Sequence, residues 1–170
     1  MKELILGGAR SGKSRLAEQR AKATRQDVLY IATAQAFDRE MDERIARHQG
    51  DRPAHWGTVE EPVYLARALQ SHAAENRTIL VDCLTLWLSN LLCMDDSVLF
   101  GKEKQSLLDC VFSLPGHVIL VSNEVGQGVI PDNALARRFV DEAGWLHQAL
   151  AAQCDQVTFV TAGIAQQLKP

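Results

Sequence analysis

The chain has 170 residues, a formal net charge of −3, and 46% hydrophobic and 23% charged residues, a balance that fits one globular domain with a sizeable core spanning 1–170. The slight acidic excess implies no broad basic surface for nucleic acid, and none is expected as a partner. The opening MKELILGGAR is too short an apolar run for a secretion signal, and Ile79 to Cys93 is too interrupted, by Asp82, Ser89 and Asn90, to span a membrane.

In chain order, Leu4, Ile5 and Leu6 predict a short buried strand, and Ser14 to Ala23 predicts a helix. Between them Gly7 to Ser14 reads GGARSGKS, matching G-x-x-x-x-G-K-[ST] at every fixed position. Strand, glycine-rich loop and helix are the context this phosphate-binding loop requires. Gly7, Gly8 and Gly12 let backbone approach phosphate oxygens, and the helix start offers N–H donors and positive dipole. The loop residues Gly7, Gly8, Ala9, Arg10, Ser11, Gly12, Lys13 and Ser14 are thus expected to hold nucleotide, with Lys13 reaching the terminal phosphates and the Ser14 hydroxyl ligating Mg²⁺.

Val28 to Ala32, Ile79 to Val81, His117 to Ser122 and Val157 to Thr161 are short, apolar and β-branched, so each predicts a strand; His55 to Glu60 suggests another. Helices are expected at Asp38 to His48, Val63 to Glu75, Leu84 to Leu92 and Asn133 to Cys154, with one flanked by loops in Met94 to Gly116. Leu84 to Leu92 is apolar on most faces and should be buried. Strands alternating with helices predict an α/β fold with a mainly parallel sheet. Cys83, Cys93, Cys110 and Cys154 form no C-x-x-C pair and read as buried free thiols, as expected in the cytoplasm.

Asp82 ends the run TILVD. A carboxylate at the C-terminal end of a strand beside a phosphate loop serves Mg²⁺ or its water shell; the alternative is a cap on the helix starting near Leu84. Glu124, just after HVILVS and within NEVGQG, either contacts substrate or metal or holds its own loop, where Gly126 and Gly128 imply a tight turn. Met41, Arg44, Ile45 and His48 share one face of the predicted helix, placing His48 at its end. There the imidazole either pairs with the helix dipole or acts as a nucleophile on phosphorus, with Arg44 and Arg52 steadying phosphate charge. His55 reads as packed or superficial, and His72, His117 and His147 as isolated.

GGARSGKS, YIAT at Tyr30 to Thr33, R-I-x-x-H-x-x-x-R-P-x-x-W-x-T-x-E from Arg44 to Glu60, and NEVGxGxxP from Asn123 to Pro131 occur together and in order. In these blocks the chain resembles the bifunctional adenosylcobinamide kinase/adenosylcobinamide-phosphate guanylyltransferases of cobalamin biosynthesis, over nearly its whole length. The phosphate loop alone is shared by many NTPases; the histidine and NEVG blocks are far more specific. The resemblance implies a recombinase-like P-loop fold, often trimeric, and two reactions. ATP or GTP phosphorylates adenosylcobinamide, and GTP then transfers GMP to that phosphate through a GMP–histidine intermediate, giving adenosylcobinamide-GDP and pyrophosphate. It implies that His48 is the guanylylated residue. It also implies nucleotide contacts at the phosphate loop, at Ala32, Thr33 and Ala34, at Gln49, Gly50, Asp51 and Arg52, and at Glu60 and Asp82. Some members carry a second histidine before the nucleophile; here Arg47 stands there. Met94 to Leu114 matches no block of the family. A kinase without the second activity, and a non-catalytic nucleotide-binding switch, are the rival readings of the loop taken alone.

Overall fold

The computed structural model describes residues 1–35, 53 and 55–170. The predicted helix Asp38 to His48 therefore lies outside the described residues, as do Arg44, His48, Gln49, Gly50, Asp51 and Arg52. The described elements, in order, are β1 (Lys2–Gly7), α1 (Lys13–Ala23), β2 (Asp27–Ala32), β3 (Gly57–Glu60), α2 (Leu65–His72), β4 (Arg77–Asp82), α3 (Leu84–Cys93), α4 (Ser97–Val111), β5 (His117–Asn123), α5 (Ala134–Gln153), β6 (Gln156–Thr161) and β7 (Ile164–Lys169).

All seven strands form one sheet in the order β3-β2-β4-β5-β1-β6-β7. Every pairing is parallel except the β6–β7 hairpin. β1 is buried along its whole length, as a central parallel strand covered on both faces must be. Its side chains alternate between two cores. Leu4 and Leu6 join Trp87, Leu88, Leu91, Leu107 and Leu146 on one face. Ile5 joins Ala17 and Ala21 of α1, with Tyr30, Leu80 and Ile119, on the other. The small alanines let α1 lie close to the strand whose loop it continues.

The expected α/β class and parallel sheet are present. α3 is buried through Leu84, Trp87, Leu88, Leu91 and Leu92. The segment from Met94 to Gly116 does hold a helix, started by the Asp96 carboxylate accepting from Val98 N and Leu99 N at 3.0 and 2.9 Å. The turn expected at Gly126 and Gly128 is present, held by Gly126 N donating to Glu124 Oε1 at 2.8 Å and needing no positive φ at either glycine. A Cβ on Gly126 would meet that oxygen at 3.1 Å. Two expectations need correction. Cys93 is exposed, although all four thiols are free and the other three are buried. The strand β7 (IAQQLK) was unforeseen, because five of its six residues are exposed and its pattern lacks an apolar face.

Candidate active site

The chain leaves β1 at Gly7 and enters α1 at Lys13, and the turn between is held from two sides. Gly7 O accepts from Glu124 N at 3.0 Å, tying the loop to the end of β5. Ser11 O accepts from Gly163 N at 2.8 Å, tying it to the β6–β7 turn. Gly12 has φ 96°, the left-handed region, and caps α1 without any side-chain bond. The first-turn N–H groups of α1 thus have no side-chain cap, which leaves donors and dipole for an anion. Gly7 is required by contact: a Cβ there would lie 2.5 Å from both Ser11 Oγ and Val160 O. Gly8 differs, since a Cβ there would meet nothing within 4 Å. Lys13 is buried, and its Nζ donates to Gly8 O at 3.1 Å, holding the ammonium over the loop. The buried Ser11 Oγ finds no hydrogen-bond partner among the described residues.

Parallel register brings other strand ends level with this loop. Glu60 pairs with Ala32, and Ala32 with Asp82, so the ends of β3, β2 and β4 lie side by side. Asp82 does not cap α3: Cys83 is the N-cap residue and no side chain caps that helix. The carboxylate instead accepts from Tyr30 Oη at 3.1 Å. Its charge, with burial as the larger cause, raises the Cys83 thiol to about 11, so that cysteine stays protonated and is no nucleophile. Thr33 is fully buried, and its hydroxyl clamps the Cys83 peptide, donating to Cys83 O at 2.7 Å and accepting from Cys83 N at 2.9 Å. Asn90 adds a bond to Thr33 O at 2.8 Å. Thr33 thus fixes the β2 and β4 ends. Ala34, half-buried, follows it, and Glu60 is exposed.

Between the loop and the ends of β5 and β6 lies a cleft of about 560 Å³, lined by Gly8, Arg10, Ser11, Glu124, Val125 and Thr161 among others. Glu124 Oε1 accepts from Gly126 N at 2.8 Å, so the carboxylate does hold its own turn. A larger cavity, about 700 Å³, sits at the opposite end of the sheet, beside Glu3, Arg20 and His117. It is remote from the phosphate loop, and its central charges are already paired. Two histidines that read as isolated have partners. His117 Nε2 meets Glu3 Oε1 at 2.7 Å. His147 Nε2 meets Ser122 Oγ at 2.7 Å, and burial lowers its pKa. Spacing could not have shown either, since each pair joins distant parts of the chain.

A profile of the family "cobinamide kinase / cobinamide phosphate guanyltransferase" matches residues 3–168. The chain belongs to this family. It is 59% identical over 169 residues to the bifunctional adenosylcobalamin biosynthesis protein CobP of Pseudomonas aeruginosa, covering 99% of this chain and 98% of that one. It is 40% identical to the bifunctional adenosylcobalamin biosynthesis protein CobU of Escherichia coli K12, covering 98% of each. Among solved structures, P4 protein from bacteriophage phi6 in complex with ADP matches with a TM-score of 0.50 and 14% identity, over 97% of this chain and 52% of that one. That likeness concerns the fold alone. Membership in the cobinamide kinase / cobinamide phosphate guanyltransferase family makes the chain an enzyme of phosphoryl and guanylyl transfer. Among the described residues, no helix is long and apolar enough to cross a membrane.

Proposed function

We propose that the C-terminal edge of the sheet carries both reactions: phosphorylation of adenosylcobinamide by ATP or GTP, then transfer of GMP from GTP to the new phosphate with release of pyrophosphate. One observation carries the first half. The start of α1 has no side-chain cap, so its first-turn N–H groups face the loop as donors for phosphate, and the Lys13 ammonium is held over the same loop by its bond to Gly8 O. The loop from Gly7 to Ser14 holds the triphosphate, with Lys13 at its terminal phosphates. Ala32, Thr33, Ala34, Glu60 and Asp82 build the neighbouring strand ends, Thr33 by fixing the backbone. Ser14 and Asp82 offer hard oxygen donors of the kind Mg²⁺ takes, and Ser14 is only half-buried. Mg²⁺, when bound there, supplies charge neutralisation on the phosphates. The chain contributes position and fixed dipoles.

The second reaction needs a nucleophile toward the α-phosphate, which a phosphate loop does not provide. No described histidine suits it. His147 is buried against Ser122, His117 is paired with Glu3 at the opposite end of the sheet, His72 ends α2 beside the start of β4, and His55 is exposed ahead of β3. The resemblance to the family gives the role of taking GMP to His48, with Gln49, Gly50, Asp51 and Arg52 as nucleotide contacts, and no described histidine competes for it. The single domain spanning 1–170, the trimeric assembly and a cytoplasmic setting belong to the same proposal; the free thiols accord with a reducing compartment.

Incubation with α-labelled GTP and Mg²⁺ tests the reading. The protein should acquire a covalent label that is labile in acid and stable in alkali, as a phosphoramidate is. His48→Asn should lose the label and the guanylyl transfer yet keep part of the kinase activity, while His55→Ala should still label. A wild-type protein that never labels returns the kinase-only reading.

A further inference from the structure

The NEVG turn has a place in the fold that neither half of the proposed function uses. β5 lies between the strand that feeds the phosphate loop, β1, and the strand that ends in Asp82, β4. Glu124 is the first residue beyond β5. Its backbone N–H is bonded to Gly7 O at 3.0 Å, so the residue is pinned to the start of the phosphate loop. Gly8, whose carbonyl accepts from Lys13 Nζ, lines the same 560 Å³ cleft as Glu124. In such loops the lysine meets the terminal phosphates. The cleft therefore opens at the γ-phosphate end of the site, with a carboxylate on its far wall. One oxygen, Oε1, is taken by Gly126 N; among the described residues Oε2 has no hydrogen-bond partner. The region behind Glu124 is built rather than loose. Ser122 is fully buried against His147, and Asn123 N and Nδ2 both donate to Thr85 Oγ1, at 3.3 and 3.0 Å.

We propose that Glu124 is a catalytic residue of the kinase step, receiving the proton of the acceptor alcohol, and that the cleft between residues 8–11 and 124–128 seats that alcohol. The inference rests on the phosphoryl-transfer half of the proposed function. In the step, the alcohol oxygen forms a bond to the γ-phosphorus. The bond from that phosphorus to the β,γ-bridging oxygen breaks, and its electron pair leaves with the nucleoside diphosphate. The hydroxyl proton passes to Glu124 Oε2 and then to water. Until transfer, the same oxygen orients the hydroxyl toward phosphorus, which is the main service a carboxylate gives a loose transition state.

Two substitutions separate this role from the turn-holding one. In Glu124→Gln the amide oxygen still accepts from Gly126 N, so the turn survives, but no base remains. In Glu124→Ala both are lost. Each variant is assayed for phosphorylation of adenosylcobinamide, for binding of a fluorescent GTP analogue, for the melt, and for guanylyl transfer to ready-made adenosylcobinamide phosphate. The expected result is that Glu124→Gln loses on the order of 10²- to 10³-fold in kinase kcat, as Glu124→Ala does, while nucleotide affinity, melt and guanylyl transfer stay near wild type. If Glu124→Gln phosphorylates like wild type while Glu124→Ala does not, the residue only holds the turn and the assignment falls. Parallel loss of GTP affinity in Glu124→Gln also overturns it. Should Glu124→Gln fail to fold, Gly126→Ala, whose Cβ crowds Oε1, gives the second reading: selective kinase loss supports the assignment and retained kinase activity overturns it. A wild-type protein that guanylylates but never phosphorylates would overturn the kinase reading beneath it, a result distinct from any pattern among the variants.

Discussion

The two ends of this sheet spend their charges differently. At the N-terminal end, Glu3 is buried and accepts from Arg20 at 2.7 Å and meets His117 at 2.7 Å. Lys2 Nζ donates to Leu114 O and Gly116 O, at 2.8 and 3.1 Å. Arg77 bonds Asp27 across β4 and β2 at 2.8 Å. These pairs staple strands and helices together. At the C-terminal end, α1 starts uncapped and the buried Ser11 hydroxyl has no partner among the described residues. Thr158 Oγ1, inside β6, is also buried without a partner among the described residues, so an orphaned hydroxyl alone marks no site; that of Ser11 counts because it lies in the phosphate loop beside the uncapped helix start. The larger cavity lies at the stapled end and the smaller cleft at the open one. Unspent hydrogen-bonding capacity therefore locates this site better than cavity size does.

The strongest way to break that contrast is to remove one cation from each end. Lys13→Ala should cut phosphorylation of adenosylcobinamide on the order of 10³-fold and weaken triphosphate binding, because its charge meets the transferring phosphate. Arg20→Ala should lower the melting temperature and leave nucleotide affinity near wild type. Titration with a fluorescent GTP analogue, alongside a thermal melt, reads both. Near-wild-type affinity in Lys13→Ala would remove the phosphate-loop assignment.

Gly7→Ala sharpens the comparison next. The new Cβ would meet backbone, Val160 O, at 2.5 Å, which cannot swing away as a side chain can. The loop or β6 must shift, costing about 2 kcal/mol of stability and nucleotide affinity together. Gly8→Ala, with open space around its Cβ, should melt like wild type. Equal melting temperatures for the two alanine variants would contradict the described loop geometry.

The contrast also explains what could be read from sequence. The phosphate loop was legible because its function requires residue types at fixed spacing within one short segment. The buried strands were legible because a strand covered on both faces must be continuously apolar, as in Leu4, Ile5 and Leu6. β7 was not, since an exposed edge strand needs no such run, yet its turn supplies the Gly163 bond that holds Ser11 O. Its two-residue turn, Ala162–Gly163, has φ of 52° and 78°, but with alanine at the first position it lacks the Asn-Gly or Asp-Gly pair that announces such a hairpin in sequence. Asp82 was legible as a strand-end carboxylate, but only the structure separates it from a helix cap. The pairings of His117 with Glu3 and of His147 with Ser122 depend on how strands assemble, which local pattern does not carry.

Asp82→Asn is expected to have a smaller effect than Lys13→Ala. Tyr30 Oη can still donate to the amide oxygen, so the strand end should hold. Loss of the charge should raise the Mg²⁺ needed for half-maximal activity roughly 10- to 100-fold, with the melt little changed. A variant that melts much earlier but shows normal Mg²⁺ dependence would assign Asp82 to the fold instead.

The smallest expected effect on catalysis belongs to the stapled end, where it should appear only as stability. Burial alone would push the Glu3 carboxyl upward, but the bonds from His117 and Arg20 outweigh it, and its pKa is lowered below 4.5. A carboxylate depressed on folding stabilises the protein fully above its unfolded value, and that stability is lost as pH falls through the folded value. Glu3→Gln removes the charge while keeping the shape, leaving Arg20 and His117 a single amide oxygen to share and no carboxylate to pair with. The variant should lose on the order of 3 kcal/mol at neutral pH, and the gap from wild type should narrow on acidification below pH 4.5. Its nucleotide affinity and both transfer activities, assayed well below the melt, should match wild type. A Glu3→Gln protein of full stability but impaired GTP binding would place ligand chemistry at the N-terminal end and reverse the reading of the two ends.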